Sequence, residues 1–203
     1  MHFERTVAMG ALTACLMVAD VFAGVEDVRA LYKQINSLVE SKVARLVSTY
    51  ATGQGERLQW RTVATRADQG QFEKSDYRAQ VYLDQDRVIK AQLKTNSQSG
   101  DWTFTEDYYF YKNGRTAFYF RSLLTFQGYD VEHDKELPPG PYIVEVRHYY
   151  DESGKEIRRL EKAFIQATKK ELPVKYVRAD LPIEIYADVT LLPFYAVIPG
   201  VKR

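Results

Sequence analysis

Cysteine is nearly absent: Cys15 is the only one in the chain. No disulfide framework can form within it, and Cys-His nucleophile pairs fall away for want of a thiol in the body of the sequence. Histidine is scarce too. With His2 inside the leader described below, only His133 and His148 remain to act as base, ligand or switch. Charge of one sign is also missing, since 28 Lys and Arg stand against 27 Asp and Glu and the two signs alternate along the chain. Binding of nucleic acid needs clustered cations that displace phosphate counterions, and no such cluster is present. No Gly-x-Ser-x-Gly elbow, His-Glu-x-x-His pair or glycine-rich phosphate loop occurs, so neither a cofactor nor a metal is expected. The apolar run from Val7 to Ala19 is shorter than the roughly 18 to 20 residues that span a bilayer as a helix.

That short run has a different reading. Arg5 precedes it and Asp20-Val21-Phe22-Ala23 follows, which is the layout of a secretory signal over residues 1–23 with cleavage after Ala23. A second pattern overlaps it. Leu12-Thr13-Ala14-Cys15 resembles the lipobox of bacterial lipoproteins, in which the cysteine becomes the lipidated first residue. Against it, the hydrophobic stretch continues through Leu16, Met17 and Val18 instead of leaving for a polar tether. The expected protein is therefore exported, periplasmic or secreted, with a membrane anchor only if Cys15 is lipidated.

Residues 24–203 hold enough apolar matter for one domain, at 45% hydrophobic and 13% aromatic residues over the chain. From 25 to 50, apolar positions recur at three- and four-residue steps, which predicts an amphipathic helix ended by Thr52-Gly53-Gln54-Gly55. Beyond it the texture becomes short runs of Val, Tyr, Phe and Thr between turn residues. Seven strands are expected in a meander over 56–166, near 57–66, 72–83, 87–96, 101–111, 115–126, 141–150 and 155–166. Asn113-Gly114 predicts a two-residue type I′ hairpin, and Asp151 to Lys155 a longer loop with Gly154 left-handed. Leu137-Pro138-Pro139-Gly140-Pro141 reads as a stiff connection. The proline-punctuated segment 172–203 predicts short edge strands or a tail laid on the sheet. The fold class is thus α+β, with an N-terminal helix packed on a curved antiparallel meander. In outline it resembles the half-open barrels of periplasmic lipoprotein carriers, a likeness of fold alone that implies a hydrophobic cavity.

No motif specifies an activity. Glu132-His133-Asp134 collects three polar groups, but neighbours on an extended chain point apart. Glu106, Asp107, Glu132 and Glu145 are all eligible for a glycosidase-like carboxylate pair, and nothing selects among them. The aromatic density between 101 and 126 is the richest feature. Period-two reading places Trp102, Phe104, Glu106, Tyr108 and Phe110 on one face of a strand, and Asp107, Tyr109 and Tyr111 on the other. Beyond the turn, Phe118 and Phe120 share a face that Tyr119 does not. The candidate ligand-binding residues are Trp102, Phe104, Tyr109, Phe110, Tyr111, Phe118, Tyr119 and Phe120. The leading expectation is a non-catalytic binding module whose partner is a hydrophobic small molecule or an envelope protein. A small carboxylate-dependent hydrolase and a lipid-anchored structural protein stand as alternatives.

Overall fold

A computed structural model describes residues 24–53, 57–130, 132–137, 140–177 and 184–201. The expected signal over 1–23 and the lipobox-like Cys15 lie outside the described residues. An α+β arrangement is present, dominated by antiparallel sheet. Helix α1 runs over 24–40, not to residue 50. It stops because Lys42 turns left-handed at φ 57 while Val43 and Ala44 both donate to the Leu38 carbonyl at 3.1 Å, which folds the chain back on itself. The apolar spacing that extends the helix on paper belongs instead to strand β1 (Arg45–Thr52). Its Val47, Thr49, Tyr50 and Ala51 are buried, while Val43 and Leu46 are left exposed.

Eight further strands join β1 in one sheet: β2 (Gln59–Thr62), β3 (Tyr77–Asp84), β4 (Arg87–Asn96), β5 (Trp102–Phe110), β6 (Thr116–Thr125), β9 (Tyr142–Tyr150), β10 (Glu156–Ile165) and β11 (Glu171–Leu172). The spatial order is β11-β10-β9-β6-β5-β4-β3-β1-β2, nine strands where seven are expected from pattern. The surplus is β1, hidden in the helical reading, and the two-residue β11. Between β6 and β9 the chain makes a separate small ladder of β7 (Tyr129–Asp130) and β8 (Lys135–Glu136). A second helix, α2 (Arg66–Lys74), occupies ground expected to be strand ends. Its start is a reciprocal cap: the Asp68 amide donates to Thr65 Oγ1 at 3.2 Å and the Thr65 amide donates to Asp68 Oδ2 at 2.9 Å. No residue of α2 is buried, so hydrophobic periodicity carries no trace of it.

Helix α1 crosses the strands instead of running along them. Gly24 lies against Ile157 of β10, while Asn36 accepts hydrogen bonds from Tyr109 of β5 and Lys90 of β4. Val25, Val28 and Ile35 are buried there against Tyr109, Phe118 and Tyr149. The opposite sheet face is covered by residues 185–198, whose Val189, Leu192, Phe194 and Ile198 pack on Val81, Ala91, Tyr108 and Phe110. This segment is anchored on the β5–β6 turn, where Thr116 Oγ1 donates to the Tyr186 carbonyl at 2.6 Å and the Val189 amide donates to the Gly114 carbonyl at 2.9 Å.

The β5–β6 connection departs from the expected type I′ turn. Gly114 is left-handed at φ 86, but Asn113 is absent from the positive-φ residues. The Gly114 amide donates to the Tyr111 carbonyl at 3.1 Å and the Tyr111 amide to the Arg115 carbonyl at 2.9 Å, a one-residue-longer loop closed by left-handed glycine. The β9–β10 turn repeats that bonding between Asp151 and Lys155, with Gly154 at φ 87. A side chain at 114 must accept positive φ, and its Cβ would meet Val189 Cγ1 at 3.3 Å. Gly114→Val is expected to destabilise the fold by about 1–2 kcal/mol in urea unfolding. An unchanged midpoint would show that the loop conformation is not required.

Candidate functional site

The register across β4, β5, β6 and β9 arranges the α1-facing side of the sheet in rows. Lys90, Tyr109, Phe118 and Tyr149 pair successively across the strands. One row on, Gln92, Asp107, Phe120 and Arg147 do the same. Helix α1 seats on the first row, where Tyr32 touches the Tyr109 ring at 4.9 Å and the Phe118 ring at 5.6 Å. Between the helix and the second row lies a cleft of about 580 Å³.

The polar groups of this cleft are mutually held. Tyr109 Oη donates to Asn36 Oδ1 at 3.0 Å, and Lys90 Nζ approaches the same oxygen at 3.4 Å. Lys90 Nζ also lies 4.8 Å from the centre of the Tyr109 ring and 3.8 Å from Asp107 Oδ1. Gln92 Nε2 donates to that carboxylate at 2.9 Å. Burial pushes the Asp107 carboxyl above its ordinary value, against the pull of Lys90 and the Gln92 hydrogen bond. Arg147 spreads over Phe120, its guanidinium carbon 5.5 Å from the ring centre, and donates through Nη2 to Glu145 at 2.8 Å. Arrayed this way, the cleft offers an aromatic floor beside a charged row: it can bind, and its one lining carboxylate on the sheet is already engaged.

Of the eight aromatic residues expected to bind a ligand, the sheet brings Tyr109, Phe118 and Phe120 into this cleft. Trp102, Phe104, Phe110 and Tyr119 turn to the other face. Phe104, Phe110 and Tyr119 are buried in the core there, and Trp102 packs on Phe104 at 4.9 Å. Tyr111 donates to the Tyr150 carbonyl at 2.8 Å at the turn. Tyr32, Asn36, Lys90 and Arg147 complete the site without a signal in the linear pattern, because only the strand register and the helix placement unite them.

The remaining candidates disperse. Glu132, His133 and Asp134 point to three partners: Lys175, Asp130 and Tyr129. Glu106 sits beside Asp107 in sequence but on the opposite face, where it accepts from Tyr119 Oη at 2.6 Å and faces Arg121 Nε at 4.0 Å. Arg121 lies 3.7 Å over the Phe104 ring. His148 is buried with Nδ1 2.5 Å from Glu156, and its Nε2 has no partner among the described residues. No group of three His, Cys, Asp or Glu suited to a metal ion exists among the described residues, and none of their helices is long and apolar enough to cross a membrane.

Comparison with known proteins returns no match: no family model, no curated protein and no solved structure matches this chain. The functional reading therefore rests on the residues themselves.

Burial raises both Glu106 and Asp107, whereas the Thr65 hydroxyl holds Asp68, and the Ser153 hydroxyl Asp151, below the ordinary carboxylate value. The two sets act with opposite sign. Between the ordinary and the raised values, the native state binds protons the unfolded chain has released, so mild acidification strengthens the fold through Glu106 and Asp107. The contribution of Asp68 and Asp151 is present above the ordinary value and is lost as pH falls through their depressed values. Thermal unfolding across pH is expected to hold or rise on first acidification and then fall, with the first phase reduced in Asp107→Asn. A monotonic loss from neutrality in both proteins would contradict the assignment. Glu106→Ala removes the carboxyl that meets both the Tyr119 hydroxyl and Arg121, an expected loss of about 2 kcal/mol, and adding Arg121→Met should recover part of it. A double variant no more stable than the single one would remove the ion pair from the account.

Proposed function

We propose that this chain is an exported, non-catalytic binding module that holds a ligand with an apolar body in the cleft beneath α1, with the helix laid on a curved sheet as the cradle. The observation that carries this reading is the cleft itself: about 580 Å³, floored by Tyr109, Phe118 and Phe120 and roofed by Tyr32. Ligand sites of roughly 300–1,000 Å³ lined by aromatic side chains with a few placed polar groups have this character. Export is supported by the Arg5-flanked apolar run and the Asp20 to Ala23 cleavage pattern. The hydrolase alternative draws on Asp107, whose carboxyl is raised in the cleft. Lys90 and Gln92 already hold that group, and no histidine lines the cleft, which favours binding over acid–base chemistry.

The test is titration of the delipidated protein with N-phenyl-1-naphthylamine, a neutral fluorescent apolar probe. Saturable binding is expected, weakened by about tenfold or more in Phe120→Asp and unchanged in Phe126→Asp, whose side chain is exposed outside the cleft. Absence of saturable binding by the unaltered protein would overturn the reading. Intact-mass measurement on protein from its host's envelope checks the export claim separately. A chain starting at Gly24 is expected, and one starting at lipidated Cys15 would make the module membrane-anchored.

A further inference from the structure

We infer that the ligand of this cleft is an anionic amphiphile, one apolar chain ending in a carboxylate or a phosphate; the inference rests on the binding reading above and names its ligand class. Four cations line the cleft, Arg29, Lys33, Lys90 and Arg147, against two carboxylates, Glu40 and Asp107. The chain as a whole carries a formal charge of only +1, so this excess is local and not a consequence of composition. Asp107 is turned to Lys90 and Gln92. Glu145, which engages Arg147, is not among the lining residues. Arg29 is held by Glu26, Lys90 by Asp107 and Arg147 by Glu145, so the cationic groups open to a ligand are the Lys33 ammonium and the spare N–H donors of Arg147.

The donors sit where a headgroup would need them. Arg29, Lys33, Asn36 and Glu40 follow one another at helical spacing along the side of α1 that borders the cleft. Lys33 has no ion-pair partner among the described residues, leaving its ammonium free for an incoming anion. Arg147 has five N–H donors by its chemistry, and one is committed to Glu145. Because its guanidinium lies over Phe120, a hydrocarbon chain resting on that ring would end beside the remaining donors. Carboxylates and phosphates bind such a fork by charge-assisted hydrogen bonds, which an alcohol makes only weakly. The exposed part of Phe120 and the spare donors of Arg147 thus lie side by side in the row that α1 leaves open, where they match the chain and the headgroup of one molecule.

Isothermal titration with dodecanoate, dodecyl phosphate and dodecanol, each below its micelle-forming concentration, tests this. At least one anion is expected to bind about tenfold or more tightly than the alcohol, and the comparison between the two anions identifies the headgroup. In Lys33→Met/Arg147→Met that preference should disappear while dodecanol affinity stays within about twofold. If the double variant does not fold, Lys33→Gln alone must still reduce the preference. Equal binding of all three by the unaltered protein overturns the anionic assignment and leaves the binding module standing. Binding of none of them, together with failure of the neutral naphthylamine probe, removes both.

Discussion

The antiparallel register between β5 and β6 sets Tyr109 opposite Phe118 and Glu106 opposite Arg121, and the remainder of the molecule is arranged around that choice. A slip of one residue would exchange the two faces along the whole strand. In β5 it would carry Glu106 under α1, away from Arg121, and bring Asp107 into the apolar packing of residues 185–198. The turn enforces the register. Gly114, left-handed, closes the loop, and the amide of Val189 then binds the Gly114 carbonyl, so the segment that covers one face is keyed to the same residue that aligns the strands.

A sheet covered on both faces normally lacks alternation between apolar and polar positions, and this one compromises. On the C-terminal segment's side, a polar row of Glu106 and Arg121 separates two apolar clusters, one around Tyr108 and Phe194 and the other around Phe104 and Val144. Desolvating both charges costs several kcal/mol each unless geometry returns it. The Tyr119 hydroxyl at 2.6 Å and the Phe104 ring at 3.7 Å supply part of that return. On the α1 side, charge is kept at the margin of the apolar row, where Lys90 shares Asn36 with Tyr109. Charged groups are thus central on one face and peripheral on the other; both pairs are largely buried, and only Lys90 and Asp107 border the cleft.

Strand positions from 77 to 165, apart from the two-residue β7 and β8, were legible in the sequence because β-branched and aromatic runs alternate with turn residues, and the period-two assignment of Phe118 and Phe120 against Tyr119 matches the register. Three things were not. The helix end at 40 is set by the left-handed Lys42, a residue with no propensity for that conformation, while Leu46, Val47 and Tyr50 continue a helical spacing by coincidence. Helix α2 buries nothing, so only the Thr65 and Asp68 cap announces it. The site is a property of pairing: Lys90, Asp107, Phe120 and Arg147 lie far apart in sequence, and no local pattern says that they share two adjacent rows.

The cleft itself follows from dimensions. Rows on one face of a sheet are two residues apart, roughly 7 Å, and a helix with its side chains is about 10–12 Å across. A single helix crossing the strands can therefore bury one row fully and shade the next, and it cannot close both. Helix α1 spends its buried residues, Val25, Val28 and Ile35, on the Tyr109 and Phe118 row. The row holding Asp107, Phe120 and Arg147 is left beside it with a half-buried aromatic ring. Filling that space with protein would take a second helix alongside α1, yet the chain places α2 at the other end of the sheet, against β1, where Tyr50 Oη donates to Asp68 at 3.0 Å. Burying the exposed part of Phe120 is favourable by about 25 cal/mol per Å², and no segment among the described residues does it. A ligand able to cover that ring while satisfying Arg147 would recover both the hydrophobic and the electrostatic contribution at once, which is why the unfilled second row is the place where this fold has binding free energy to offer.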